Sequence, residues 1–196
     1  MDRKDIIRIV LAVMATIAAM GFIWVQFIAP RDAVMASTVG VGDYNLVGTD
    51  GSQFTQATLT GAPSAVFFGF THCPEVCPTT LGDIATWTAE LGDEAEDLRV
   101  YFVTVDPERD TSELLSEYVG WVPGVVGVTG TPDEMQKAIR AFKVYAAKVP
   151  LDDGDYTMDH SAMILLFDDE GRFTVPIRYQ EDFDKAVGKL RKLISS

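Results

Sequence analysis

From Ala65 to Val105 the chain runs through a buried strand, a loop with two cysteines, an amphipathic helix and a second strand, an order that few folds accommodate. Ala65-Val66-Phe67-Phe68-Gly69-Phe70 is an unbroken apolar run of strand length, as expected of a strand covered on both faces. Leu81, Ile84, Ala85, Trp87, Thr88 and Leu91 fall near one helical face within Thr79–Leu91, and Leu98–Val105 is β-branched and aromatic. The alternation continues with a helix at Thr111–Val122, a short strand at Gly124–Val128 and a helix at Pro132–Ala147. Ser161–Asp168 and Arg172–Tyr179 flank Asp169-Glu170-Gly171 as a hairpin, and Glu181–Ile194 closes the chain as an amphipathic helix. A further hairpin is expected across Asn45–Leu59, turning at Thr49-Asp50-Gly51-Ser52. Strand–helix alternation followed by a terminal hairpin and helix predicts a thioredoxin-like α/β sandwich with a central mixed sheet.

A different solvent is written into the N-terminus. Ile9–Ala29 is apolar except for Thr16, Gly21 and Gln26, about the length that crosses a bilayer. A cleavable signal peptide is the competing reading, with Val34-Met35-Ala36 a poor cleavage site after too long an apolar stretch. Arg3, Lys4 and Arg8 precede the run and Arg31 follows it, which places residues 1–8 in the cytoplasm, 9–29 in the membrane and the rest beyond it. Asp2 and Asp5 disfavour a mitochondrial presequence, so the expected setting is a bacterial inner membrane, crossed once, with the C-terminal domain in the periplasm. Residues 30–42 read as a linker and 43–196 as the domain. A net charge of -13 without clustered Lys and Arg argues against a nucleic-acid partner.

The two cysteines stand in Cys73-Pro74-Glu75-Val76-Cys77-Pro78, between a predicted strand and a predicted helix N-terminus, where thiolate is favoured. Their spacing permits either chelation of one ion or a disulfide, and both uses stay open. A purely stabilising bridge is disfavoured because so short a loop closes little chain entropy. His160, in Tyr156-Thr157-Met158-Asp159-His160-Ser161 at the loop entering a strand, is one of two histidines and by composition alone an ordinary surface or core residue. His72 is expected to project away from the sulfurs. Two thiolates and an imidazole would form a soft set suited to Cu(I) and tolerant of Cu(II), whereas Met158 and Met163 read as packing residues. Within Asp106-Pro107-Glu108-Arg109-Asp110-Thr111, Asp106 is a candidate to orient the metal loop, while Asp110 or Thr111 would cap the next helix and Arg109 pair locally.

Five segments carry a resemblance: Phe70-Thr71-His72-Cys73-Pro74-Glu75-Val76-Cys77-Pro78, Asp106–Thr111, Gly127-Val128-Thr129-Gly130, Tyr145–Pro150 and Tyr156–Ala162. In this order they resemble the SCO/SenC family of copper chaperones over nearly all of the part beyond the apolar run. The resemblance implies that Cys73, Cys77 and His160 bind copper, as Cu(I), Cu(II) or both. It further implies an N-terminal anchor and a role in assembling the dinuclear copper centre of cytochrome c oxidase, with apo subunit II as recipient and an upstream copper donor. The alternative within the same setting is a thiol-disulfide oxidoreductase that reduces the cysteines of the oxidase copper site, with Cys73 and Cys77 as its redox pair. A thioredoxin-type enzyme would carry a proline where this chain has Met158-Asp159-His160-Ser161, and a peroxiredoxin would need a basic residue beside the cysteine motif.

Overall fold

The computed structural model describes residues 2–24, 26, 38–152 and 154–196. The chain divides into two compact units, Met1–Ser37 and Thr38–Ser196. In the first, helix α1 (Arg3–Ile23) is apolar and long enough to cross a membrane, and none of its residues is buried. It begins six residues ahead of the apolar run. Val25 and residues 27–37, which hold the end of the expected span, most of the expected linker and Val34-Met35-Ala36, lie outside the described residues.

The second unit is built on a seven-stranded mixed sheet, ordered β2-β1-β5-β4-β3-β8-β9. An interior strand, β3 (Ser64–Gly69), has every residue buried and is flanked by β4 (Arg99–Thr104) in parallel and β8 (Met163–Phe167) antiparallel. Beyond β4 lie β5 (Val125–Thr129), parallel to it, and the hairpin of β1 (Leu46–Gly48) and β2 (Gln53–Phe54). On the other side β9 (Phe173–Arg178) forms the edge, the position at which Pro176 costs no ladder bond to a further strand.

Helices cover both faces. Ala65, Val100, Ile164 and Ile177 meet Ile84 and Trp87 of α2 (Val76–Leu91) and Leu190 of the last helix (Phe183–Ile194, α5 below). Alternate residues point to the opposite face, where Phe142, the last residue of the helix Pro132–Phe142 (α4 below), packs against Phe54, Phe68 and Phe167 at centroid distances of 6.2, 5.1 and 5.7 Å. Between them in sequence, α3 (Ser112–Val119) is capped by Thr111, whose hydroxyl accepts from the Leu114 amide.

Among the boundaries that differ from the sequence reading, four matter to the domain and its site. The helix expected over Pro132–Ala147 stops at Phe142 because Lys143 takes the left-handed conformation (φ 55°) that ends a helix. Ala146 and Ala147 instead open β6 (Ala146–Pro150), which pairs antiparallel with β7 (Tyr156–His160) in a separate two-stranded sheet. The segment holding His160, expected as a loop, is therefore a strand. Helix α2 begins at Val76 rather than Thr79, which brings Cys77 into its first turn. Residues 38–42, expected within the linker, pack on the domain: the Gly40 amide donates to the Ala141 carbonyl (2.9 Å) and the Gly40 carbonyl accepts from Tyr44 Oη (3.0 Å).

Candidate metal centre

Strand β3 delivers the cysteine loop to the end of the sheet where α/β proteins place their sites. The Cys73 amide donates to the Phe70 carbonyl, which folds the loop back on the strand end. Glu75 occupies the N-cap position of α2 but makes no side-chain cap; Cys73 Sγ takes that role, accepting from the Cys77 amide at 3.3 Å. A sulfur aimed at the positive end of a helix is stabilised as thiolate. Both cysteines are free thiols and buried, Cys77 completely.

Hydrogen bonding from the Cys77 thiol pulls Cys73 down to about 4, well below an ordinary thiol and against the opposing effect of burial. The same hydrogen bond, followed by burial, pushes Cys77 up. The two sulfurs thus share one proton and titrate as a pair.

His160 comes from the end of β7. Its ring lies edge-on to Phe70 (centroids 5.7 Å, interplanar angle 88°) and to Phe67 (6.4 Å, 60°). Nδ1 is 3.1 Å from the Ser161 carbonyl, an atom that can only accept, so Nδ1 is the donor of that bond. Nε2 faces Cys77 Sγ at 3.6 Å. One donor atom each from Cys73, Cys77 and His160 lies within 4.8 Å of the others. The structure therefore gathers the three residues singled out from the sequence.

Room for Cys77 comes from Gly69. A Cβ there would stand 2.8 Å from Cys77 Sγ and 2.8 Å from the Phe102 ring. Met158 is buried in the core, as a packing residue should be, and Met163 is partly exposed at the start of β8. His72 is half exposed and turned toward Thr71 Oγ1 (3.0 Å) and Asp110 (3.9 Å).

Asp106 acts on the histidine strand rather than on the cysteine loop. Its Oδ1 accepts from Tyr156 Oη (2.8 Å) and its Oδ2 from Arg109 Nε (2.5 Å). The Arg109 guanidinium lies 3.8 Å over the Tyr156 ring and donates to the Tyr156 carbonyl (2.9 Å). Arg109 thus pairs locally, as its position beside Asp106 suggested. The carboxylate that does reach the cysteine loop is Asp110, which accepts from the amide and hydroxyl of Thr71 (3.1 and 2.6 Å) and from Thr104 Oγ1 (2.6 Å). The sequence showed Asp110 only as a possible helix cap, because a contact to a residue 39 positions away leaves no local pattern.

Two thiols in the loop and helix after β3, with an imidazole from the end of β7, define a soft-metal or thiol-chemistry site in a thioredoxin-like domain. The sequence model of SCO1/SenC matches residues 34–195, and the chain belongs to that family. It is 35% identical over 160 residues to the mitochondrial protein SCO2 of Saccharomyces cerevisiae, covering 79% of this chain and 53% of that one. Among solved structures, ScoI of Bradyrhizobium japonicum with copper bound superposes with a TM-score of 0.72 at 40% identity, over 79% of this chain and 99% of that one. Yeast Sco1 with copper bound gives 0.73 at 32% identity, over 81% and 90%. The chain spans about half the length of the mitochondrial SCO relatives it matches in Saccharomyces cerevisiae, Arabidopsis thaliana and Danio rerio.

Proposed function

We propose that this protein is a membrane-anchored copper carrier in which Cys73, Cys77 and His160 hold the ion as cargo. The observation that supports the reading is the convergence of three donors, with Nδ1 of His160 bonded to Ser161 and Nε2 turned to Cys77 Sγ. An ion bonded to sulfur at roughly 2.3 Å and to nitrogen at roughly 2.0 Å separates the two donors by about 3.5 Å at a tetrahedral angle. Cys77 Sγ and His160 Nε2 are 3.6 Å apart, so the residues fit. Related proteins with copper bound share the fold and the family.

In this reading residues 1–8 are cytoplasmic, 9–29 form the single anchor in a bacterial inner membrane, a tether follows, and the domain, extended by the packed residues 38–42, works in the periplasm. An upstream donor loads the site, and the ion passes by ligand exchange to apo subunit II of cytochrome c oxidase. Anchoring confines the carrier to the plane of its membrane-bound partners and raises their effective concentration.

Titration of the reduced full-length chain in detergent with Cu(I) and Cu(II), against competing chelators, tests the reading. One tightly held ion per chain is expected, with large losses in Cys73→Ala, Cys77→Ala and His160→Ala. Copper affinity unchanged by His160→Ala would remove the imidazole from the site. The free, buried and closely coupled thiols favour one second reading, a thiol-disulfide reductant for the oxidase copper site. That role needs only the sulfurs, so His160→Ala would abolish copper retention while sparing disulfide exchange.

A further inference from the structure

Asp110 has no accessible surface, yet every group that holds its carboxylate is neutral. Donors converge on both oxygens, the arrangement of an ionised carboxylate. Among the described residues no lysine or arginine nitrogen lies within salt-bridge distance of it, and the half-exposed His72 ring is 3.9 Å away. The other buried aspartates differ in this respect: Asp106 is paired with Arg109 and Asp168 with Arg172. A buried charge without a counter-charge is costly to keep, and hydrogen bonds to Thr71 and Thr104 could be made as well by a neutral side chain.

The sheet register locates this charge beside the sulfurs. Thr104, which donates to Asp110, is the partner of Gly69 across β3 and β4, and Gly69 lies against Cys77 Sγ. Thr71, which donates twice, stands two residues before Cys73. Asp110 is thus one hydrogen bond from Thr71, two residues before Cys73, and one from Thr104, the strand partner of the glycine that faces Cys77 Sγ. Its field is also among the influences that push the Cys77 thiol up.

We infer that Asp110 is a specificity-determining residue whose fixed negative charge raises the preference of the site for Cu(II) over Cu(I) above what the three donors alone would set. The inference rests on the copper reading above. Two thiolates and a neutral imidazole form a neutral site around Cu(II) and one of net negative charge around Cu(I). An added negative charge close by stabilises the first relative to the second, by roughly tenfold or more at the separations and effective dielectric of a partly buried pair.

The test measures both affinities on the full chain in detergent micelles, by chelator competition, for the wild type, Asp110→Asn and Thr104→Val. The ratio of Cu(II) to Cu(I) affinity is expected to fall about tenfold in Asp110→Asn, which for a one-electron couple equals a 59 mV rise in potential. Thr104→Val removes a hydrogen bond and keeps the charge, so its ratio should stay at the wild-type value. Equal losses for both ions in Asp110→Asn, or no change in either, would overturn the inference and leave Asp110 a positioning residue for Thr71. Should circular dichroism show Asp110→Asn unfolded, Asp110→Ser, which leaves space for water between the two threonines, carries the same comparison. Ag(I) and Cd(II), which do not change oxidation state, give an independent readout of charge preference. If the wild type bound neither form of copper, the carrier reading would fail, while the Ag(I) and Cd(II) ratio would still decide the role of the Asp110 charge.

Discussion

At the residue scale the site depends on a position with no side chain. Gly69 ends β3, and its missing Cβ is the space into which Cys77 Sγ and the Phe102 ring pack. An added methyl at 2.8 Å from both must displace either the sulfur or a ring buried in the core. Gly69→Ala is expected to destabilise the domain by about 1–3 kcal/mol, the usual cost of overpacking. It should also weaken metal binding by moving Cys77 away from His160, so urea unfolding and chelator competition should report parallel losses. A stable variant with full metal affinity would show that the sulfur relaxes freely at this point. The cysteine pair was legible from the strand-loop-helix order, whereas Gly69 reads in sequence only as part of an apolar run. His160 stood out through family resemblance, because nothing local distinguishes a ligand histidine in a strand from a structural one.

Among the elements, the pair β6–β7 matters most, because it carries His160 and belongs to a different sheet from the strand that leads to the cysteine loop. An isolated two-stranded hairpin is marginal in water, so this one depends on what fastens it to the domain. The Tyr156 hydroxyl bonds to Asp106, and Arg109 joins the Asp106 carboxylate to the Tyr156 ring and carbonyl. On the outer side Lys148 pairs with Glu108 at 2.6 Å, an exposed contact of small weight. Tyr156→Phe, which removes one hydrogen bond, should cost about 1–2 kcal/mol. Arg109→Leu, which strands a buried carboxylate, should cost about 3–5 kcal/mol. In both variants amide exchange is expected to accelerate in β6 and β7 and to stay slow in β3 and β4, with metal affinity falling as His160 loosens. Uniform acceleration across the domain would mean that the bracket stabilises the whole fold and has no special hold on the histidine. This hairpin was also the least legible element. Lys143 gives none of the helix-stop signal that Gly or Asn would, and β6 is too exposed to show strand alternation. The buried strands β3, β4 and β8 were read to within a few residues because packing on both faces imposes composition.

For the whole molecule the question is which residues the domain needs. Helix α1 buries none of its residues, and the aromatic core around Phe142 draws on Tyr44, Phe54, Phe68 and Phe167, all beyond residue 38. A fragment of residues 38–196 is therefore expected to unfold cooperatively in urea, with the same midpoint as the domain within the full chain in detergent. On the anchor reading proposed above, the full chain should float with lipid vesicles and the fragment should not. Cutting instead at residue 43 removes the Gly40 amide that donates to Ala141 and the carbonyl that accepts from Tyr44. Tyr44 is almost fully buried, so losing its acceptor leaves a hydroxyl without a protein partner, and a destabilisation of about 1–3 kcal/mol is expected for the 43–196 fragment relative to 38–196. Equal midpoints for the two fragments would make residues 38–42 a tether after all. A 38–196 fragment clearly less stable than the full chain would instead show that the domain draws stability from the segment before Thr38.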